Sequence, residues 1–330
     1  MAQRKHITEL ALNLFSDGVL VVHPKDIARI DGVGQEMVNL ASQCHIYLIV
    51  THLRPSFVPG SVEVGDGKTT GKLAYVRDGV RMETDFAFAG EAVADRIEIS
   101  DYPHRMLSLI RNGERFFSIP AHHASLASDR LGDPSLRDLC VVYVGMSYGD
   151  GGRSAKDRLL SHSTLQQVLA DLTAESPDSE ALVIMVQYVE PQAMITFDGH
   201  DKSLREENDR NVIGDLQRVQ KSITEELQIR LIEAALIRYF RPRYNDKYKH
   251  HFPNPTQKIL EEVYAIDFGA LVVEIDTEEI NSRLFSPTRN PGYHHVASFD
   301  LHDPAIRRSF FNLMDNDGGP DAGTFSGPVF

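Results

Sequence analysis

At 330 residues the chain is long enough for two domains, or for one core carrying large insertions. Its 42% hydrophobic and 25% charged residues are ordinary for a folded globular protein, and no apolar run approaches the roughly 18 residues of a membrane helix. A formal net charge of -13 argues against a protein that coats nucleic acid through bulk charge.

Residues 1–110 read as a mixed α/β region with an accessory or recognition role. GVLVVHP and HIYLIVTH have the apolar, β-branched character of strands, and RIEIS is a further short one. TGKLAYVRDGVRMETDFAF alternates around Asp78-Gly79, a strong hairpin signal. MAQRKHITEL is basic but is followed by no apolar signal core. Cys44 and Cys140 lie far apart without metal-ligand spacing, so a cytoplasmic, reducing home is the expectation.

Residues 111–255 hold the features that carry chemistry. DLCVVYVGMS is a strand and GDGG a loop, after which Ser154 caps a helix with Asp157 as its capping-box partner. EALVIMVQYV is another strand. Residues 198–222 are polar and read as an insertion. A long helix runs from about Thr224 to Arg241, where Pro242 stops it. Residues 256–330 form a C-terminal extension: a short helix (TQKILEEVYAI), a strand (GALVVEID), a histidine-containing stretch and a Gly/Pro/Asp-rich tail expected to be mobile.

The glycine loop GDGGR lacks the lysine that closes a P-loop, and GMSYGDGG does not match the dinucleotide fingerprint, so a turn explains these glycines better than a nucleotide does. Arg158 and His162 stand four apart on the expected helix, which would place a guanidinium and an imidazole on one face. Such a pair suits an anionic transition state and a proton to be moved. Glu233 sits in EELQIRLIEAALIRYF among Ile229, Leu236 and Ile237, with Arg230 as its one internal partner. A carboxylate there is solvated outward, paired with Arg230, or the one protein ligand of a divalent metal, for which a single carboxylate suffices. RYFRPRYNDKYKHH, residues 238–251, sets five Lys/Arg against one Asp and suits either phosphate gripped at one place or a solvated helix end with cations near its C-terminal dipole. His122-His123, His294-His295 with His302 and Asp303, and the run DNDGGPDAG lack the partners of a metal site.

In order along the chain, YVGMS, RLLSH and EAALIRYFRPRYN resemble the signatures of the GIY-YIG nuclease superfamily, closest to its restriction-endonuclease branch. The resemblance covers about residues 115–252. It implies a small mixed or antiparallel sheet flanked by helices as an α/β (α+β) core, and a Mg²⁺-dependent endonuclease cutting phosphodiester bonds in DNA, as in restriction or phage defence. It implies that Tyr143 orients or deprotonates the attacking water, alone or with His162, while Arg158 stabilises charge on the scissile phosphate. Glu233 would hold one Mg²⁺, Asn245 would fix the geometry, and Gly145 would keep the strand clear of the substrate backbone. Arg153, Arg241, Arg243, Lys247 and Lys249 would contact flanking phosphates, with Arg153 a rival to Arg158. Double-stranded DNA is the implied partner, and a homodimer suits cutting both strands.

The first signature tyrosine is the departure from the pattern. RFFSIP places Phe116 or Phe117 at the expected distance, and neither can accept a proton. HIYLI, with Tyr47, has the better pattern but requires an insertion of about ninety residues before Tyr143. A catalytically inactive relative, binding nucleic acid or another protein, is the alternative.

Overall fold

The most apolar runs of the chain become the middle of its sheet. The computed structural model describes residues 8–32, 34–89, 94–148, 155–197, 223–253, 260 and 268–301. In chain order these form β1 (Thr8–Val22), α1 (Gln35–Gln43), β2 (Ile46–Leu53), β3 (Ser56–Phe57), β4 (Glu63–Gly65), β5 (Lys68–Arg77), β6 (Val80–Ala89), β7 (Arg96–Ile99), β8 (Met106–Arg111) and β9 (Glu114–Pro120). There follow α2 (Ala121–Leu126), β10 (Arg130–Leu131), β11 (Asp138–Met146), α3 (Ala155–Leu159), α4 (Ser163–Glu175), β12 (Ser179–Tyr188) and β13 (Gln192–Phe197). The chain then forms α5 (Glu225–Phe240), β14 (Phe268–Asp276), β15 (Arg283–Ser286), β16 (Arg289–Gly292) and β17 (His294–Asp300).

Nine strands make one mixed sheet in the order β16-β15-β11-β2-β12-β1-β14-β17, with β13 also paired to β1. β2 and β12 lie at its centre and are covered on both faces, as continuous apolar runs require. The two ends of this order meet. β16 ends at Gly292 and β17 begins at His294, with only Tyr293 between them, although they stand at opposite ends of the sheet. His295 on β17 hydrogen-bonds the carbonyl oxygens of Leu284 (2.8 Å) and Gly292 (3.1 Å), tying the ends together. The sheet is therefore nearly closed, and α5 packs into its hollow.

α5 suits that place because it is apolar on most sides: Leu231, Ile232, Ala234, Ala235, Leu236 and Phe240 are almost fully buried. Thr224 caps it by accepting the Leu227 N–H (3.2 Å), and Arg241 ends it in the left-handed region at φ 48°. The outer face of the sheet, with Leu20, Ile49, Val142 and Val183, packs against α1, α3 and α4.

Between β2 and β11 the chain builds a separate layer. β10-β6-β5-β3, with β4 on β5, form one sheet and β7-β8-β9 another, around Phe57, Leu73, Phe86 and Leu109. The β5–β6 hairpin turns on Asp78 (φ 50°) and Gly79 (φ 75°), the paired positive angles that a two-residue turn needs.

One expectation is corrected. The sheet is not small: it has nine strands, because segments far apart in sequence join it. Strands from all three expected regions, divided near 110 and 255, share that sheet, since β1 and β2 pair with β11, β12 and β14. The expected Ser154 cap, the insertion at 198–222, His302, Asp303 and the tail lie outside the described residues.

Candidate functional site

The β2–β11 register sets Tyr47 directly opposite Gly145. A bulge between Val141 and Tyr143 lets two successive residues, Val142 and Tyr143, face the outer layer. Tyr143 thereby joins Tyr47 on one face, with ring centroids 6.2 Å apart. The two rings close over Gly145, where a Cβ would lie 2.6 Å from Tyr47 Cζ and 2.7 Å from Tyr143 Cε1. Gly145 is thus required by the tyrosine pair. Phe116 and Phe117 are elsewhere, on β9, exposed by 44% and 36%. The aromatic that faces Tyr143 is Tyr47, brought there across the intervening layer.

Arg158 and His162 do not share a helix. α3 ends at Leu159, and His162 is the N-cap of α4, its Nδ1 accepting the Leu165 N–H at 3.1 Å. The break leaves them as neighbours. The His162 ring stands edge-on to Tyr47 at 5.5 Å and tilted to Tyr143 at 5.2 Å, and Arg158 is close enough to act on its charge. Burial and then Arg158 push the His162 pKa below its ordinary value, so the ring is neutral at neutral pH.

Burial, then Tyr143, raises the Tyr47 hydroxyl well above the ordinary phenol range, opposed by a polar contact from Arg158. Tyr143 is also raised, by burial and the nearby Glu233 carboxylate, while a hydrogen bond from Tyr47 and the charge of Arg158 oppose this. Arg158 itself is exposed at the rim.

Glu233 enters from α5. Burial pushes its carboxyl up to about 7, against the opposing effects of Lys247, the Met146 backbone N–H, Arg230 and Arg158. Arg230 does not neutralise it, because its guanidinium pairs with Glu226 one turn back. Glu233 is held at β11 by the segment after α5. β15 pairs with β11 only over Asp138–Cys140, leaving the rest of that edge open. The Tyr244 N–H fills part of it by donating to the Val142 carbonyl (3.0 Å). Asn245, 7% exposed, uses its side-chain amide like a strand: Oδ1 accepts the Val144 N–H and Nδ2 donates to the Val144 carbonyl, both at 2.8 Å. Asn245 is a positioning residue that locks α5 to the tyrosine-bearing strand.

The expected phosphate contacts divide. Arg241 and Lys247 are exposed, and Lys247 Nζ lies 4.4 Å from the Tyr248 ring centre. Arg243 instead reaches Glu175 at 3.4 Å, and Lys249 is half-buried. Arg153 lies outside the described residues.

The other histidines have partners of their own. His294 meets Glu274 at 3.0 Å, and His295 lies 3.2 Å from the Tyr239 hydroxyl. His122 is buried near Glu180, which also holds His52 (3.4 Å) and Arg105. Sequence reasoning did not find this cluster; the isolated glutamate in the strand run SEALVIMV was the signal for it. Among the described residues no three His, Cys, Asp or Glu side chains gather as a metal centre. Glu233, half-buried with one backbone donor, fits a Mg²⁺ that takes one carboxylate and completes its shell with water and phosphate. No helix among the described residues is long and apolar enough to cross a membrane. Comparison with protein-family models, with curated proteins and with solved structures found no match to this chain.

Proposed function

We propose that the chain is a Mg²⁺-dependent endonuclease that hydrolyses phosphodiester bonds in DNA. The observation that carries this reading is the meeting of Tyr47, Tyr143 and His162 with Arg158 beside Glu233 at one end of β2 and β11. Residues from four separate segments gather there, and their chemistry matches the task. In the GIY-YIG reading, Tyr47 stands where the first signature tyrosine belongs.

Arg158, at the rim, receives the scissile phosphate and stabilises its growing charge. Water adds to phosphorus and the P–O3′ bond breaks, leaving a 5′-phosphate and a 3′-hydroxyl. Tyr143, with Tyr47 beside it, orients that water and takes its proton as the phenol's own proton passes to solvent, and the departing 3′ oxygen takes a proton from solvent. A Mg²⁺ held by Glu233 would polarise the phosphoryl oxygen and help the 3′ oxygen depart. Asn245 keeps Glu233 and Tyr143 in register, and Arg241 and Lys247 meet flanking phosphates, which makes binding weaken as salt rises. Two copies would cut both strands.

Incubating supercoiled plasmid with the protein and Mg²⁺, beside Glu233→Ala, tests the reading. Nicking by wild type alone is expected; no nicking across a wide range of DNA, or equal nicking by both, would overturn it. The raised tyrosines favour a second reading, a nuclease-like fold that only binds nucleic acid. That reading expects salt-sensitive DNA binding with no Mg²⁺-dependent product.

A further inference from the structure

The position of His162 restricts what it can do in this site. A neutral imidazole has one nitrogen with a proton and one without. Nδ1 of His162 accepts the Leu165 N–H at 3.1 Å as the N-cap of α4, so Nδ1 is the nitrogen without a proton. Nε2 then carries the proton. The ring is 5% exposed and lies between the helix it caps and the two tyrosines, 5.5 Å from Tyr47 and 5.2 Å from Tyr143 by ring centroids. With Nδ1 turned to the backbone of α4, Nε2–H is the polar edge left for the tyrosines and for whatever they bind.

We propose that His162 is a hydrogen-bond donor of fixed tautomer, holding an oxygen at the tyrosine pair through Nε2–H, and is not a general base. To act as a base in this tautomer the ring would have to take a proton at Nδ1, which already accepts the Leu165 N–H, and become an imidazolium beside the Arg158 guanidinium. To free Nε2 as an acceptor it would have to move its proton to Nδ1 and give up the cap. Both changes are opposed by groups already in place, since Arg158 and burial disfavour the cation and the Leu165 N–H would lose its partner. The same side chain therefore starts α4 and orients the site, which accounts for a histidine at a position where serine, threonine or aspartate is the common cap. In its functional part this inference rests on the nuclease reading; in its tautomer it does not.

Nitrogen-15 NMR on protein labelled at histidine, with the His162 signal identified by its loss in His162→Asn, tests the tautomer directly. A neutral Nε2–H ring at pH 7 to 8 is expected. A proton on Nδ1, or an imidazolium at pH 7, would overturn the proposal. Plasmid nicking supplies the second readout. Asparagine can still cap α4 through its side-chain oxygen, so His162→Asn is expected to keep its melting temperature within a few degrees. Its rate should fall at least about tenfold with the same pH dependence as wild type. A pH-dependent limb of the wild-type rate that disappears in His162→Asn would show a titrating base instead and would overturn the donor role. If wild type does not nick DNA at all, the nuclease reading fails, while the NMR result still decides the tautomer.

Discussion

Near the two ends of β2 lie two glutamates from other elements, Glu180 of β12 and Glu233 of α5, that the protein treats in opposite ways. At the end holding His52, Glu180 is almost fully buried, and burial alone would raise its pKa. The hydrogen bond from His52 and the charges of Arg105 and the neighbouring histidines instead pull it down to about 2. At the end holding Tyr47, the groups that oppose burial at Glu233 do not overcome it, and its pKa rises to about 7. Both start from an ordinary value of 4.5. The difference separates a carboxylate whose partners in the fold outweigh its burial from one whose partners do not. Glu180 stabilises the join between the nine-stranded sheet and the layer inserted between β2 and β11. Glu233 is maintained at a cost to stability, which is common where a site is built for binding or catalysis.

The largest effect that tests this comparison is expected at Glu180. Glu180→Gln leaves Arg105 and His52 buried without their anion and should cost about 3–5 kcal/mol in urea unfolding at pH 7. Because its folded pKa lies below the unfolded value, the wild-type contribution is present above about pH 4.5 and lost as pH falls towards 2. Glu180→Gln should therefore differ least from wild type in acid. A loss much below 1 kcal/mol at pH 7 would remove the distinction between the two sites.

Glu233 should show the opposite sign. Its folded pKa lies above the unfolded value, so wild type is favoured below about pH 4.5 and loses that stability as pH rises through about 7. Glu233→Gln removes the ionisation and should be more stable than wild type above pH 7, by up to about 3 kcal/mol. The gain should shrink to nothing near pH 4.5. Thermal melts of both proteins at pH 4.5 and 8 would show it, and a Gln variant less stable than wild type at pH 8 would contradict the account.

Smaller losses are expected where backbone and rings hold the site. Asn245→Ala leaves the Val144 N–H and carbonyl without their partners and should cost about 1–3 kcal/mol in chemical unfolding. Gly145→Ala drives a methyl into both tyrosine rings and should cost about 1–3 kcal/mol. A Cβ at Gly65 meets nothing within 4 Å, so Gly65→Ala serves as its neutral control in the same melts. Equal melting of the two alanine variants would mean that the tyrosines do not close over Gly145.

What could be read from the sequence was local. Asp78-Gly79 marked its hairpin because a two-residue turn needs positive φ, and Thr224 with Pro242 bracketed α5 within a residue of its ends. Arg158 and Glu233 were named from local patterns, and Tyr143 and Asn245 from the family resemblance; Tyr143, Arg158 and Glu233 lie close enough to act on one another's charge, and Asn245 holds Val144 on the same strand as Tyr143. The partner of Tyr143 was not legible, because the β2–β11 pairing spans the inserted layer and no local periodicity records such a pairing. The His162 cap was missed because the spacing from Arg158 to His162 fits a continuous helix equally well. The chain instead ends α3 at Leu159 and starts again. The closure of the sheet was also hidden, since it depends on β16 and β17 being neighbours in sequence at opposite ends of the strand order.

The most direct test of the central claim uses Glu233→Gln, since its lost activity cannot be blamed on unfolding if it melts above wild type at pH 8. Single-turnover nicking of supercoiled DNA by the two proteins in Mg²⁺ at that pH should show wild type faster by at least about a hundredfold. Equal rates in a properly folded Glu233→Gln protein would contradict the assignment of Glu233 as the metal-holding residue of a phosphodiester hydrolase.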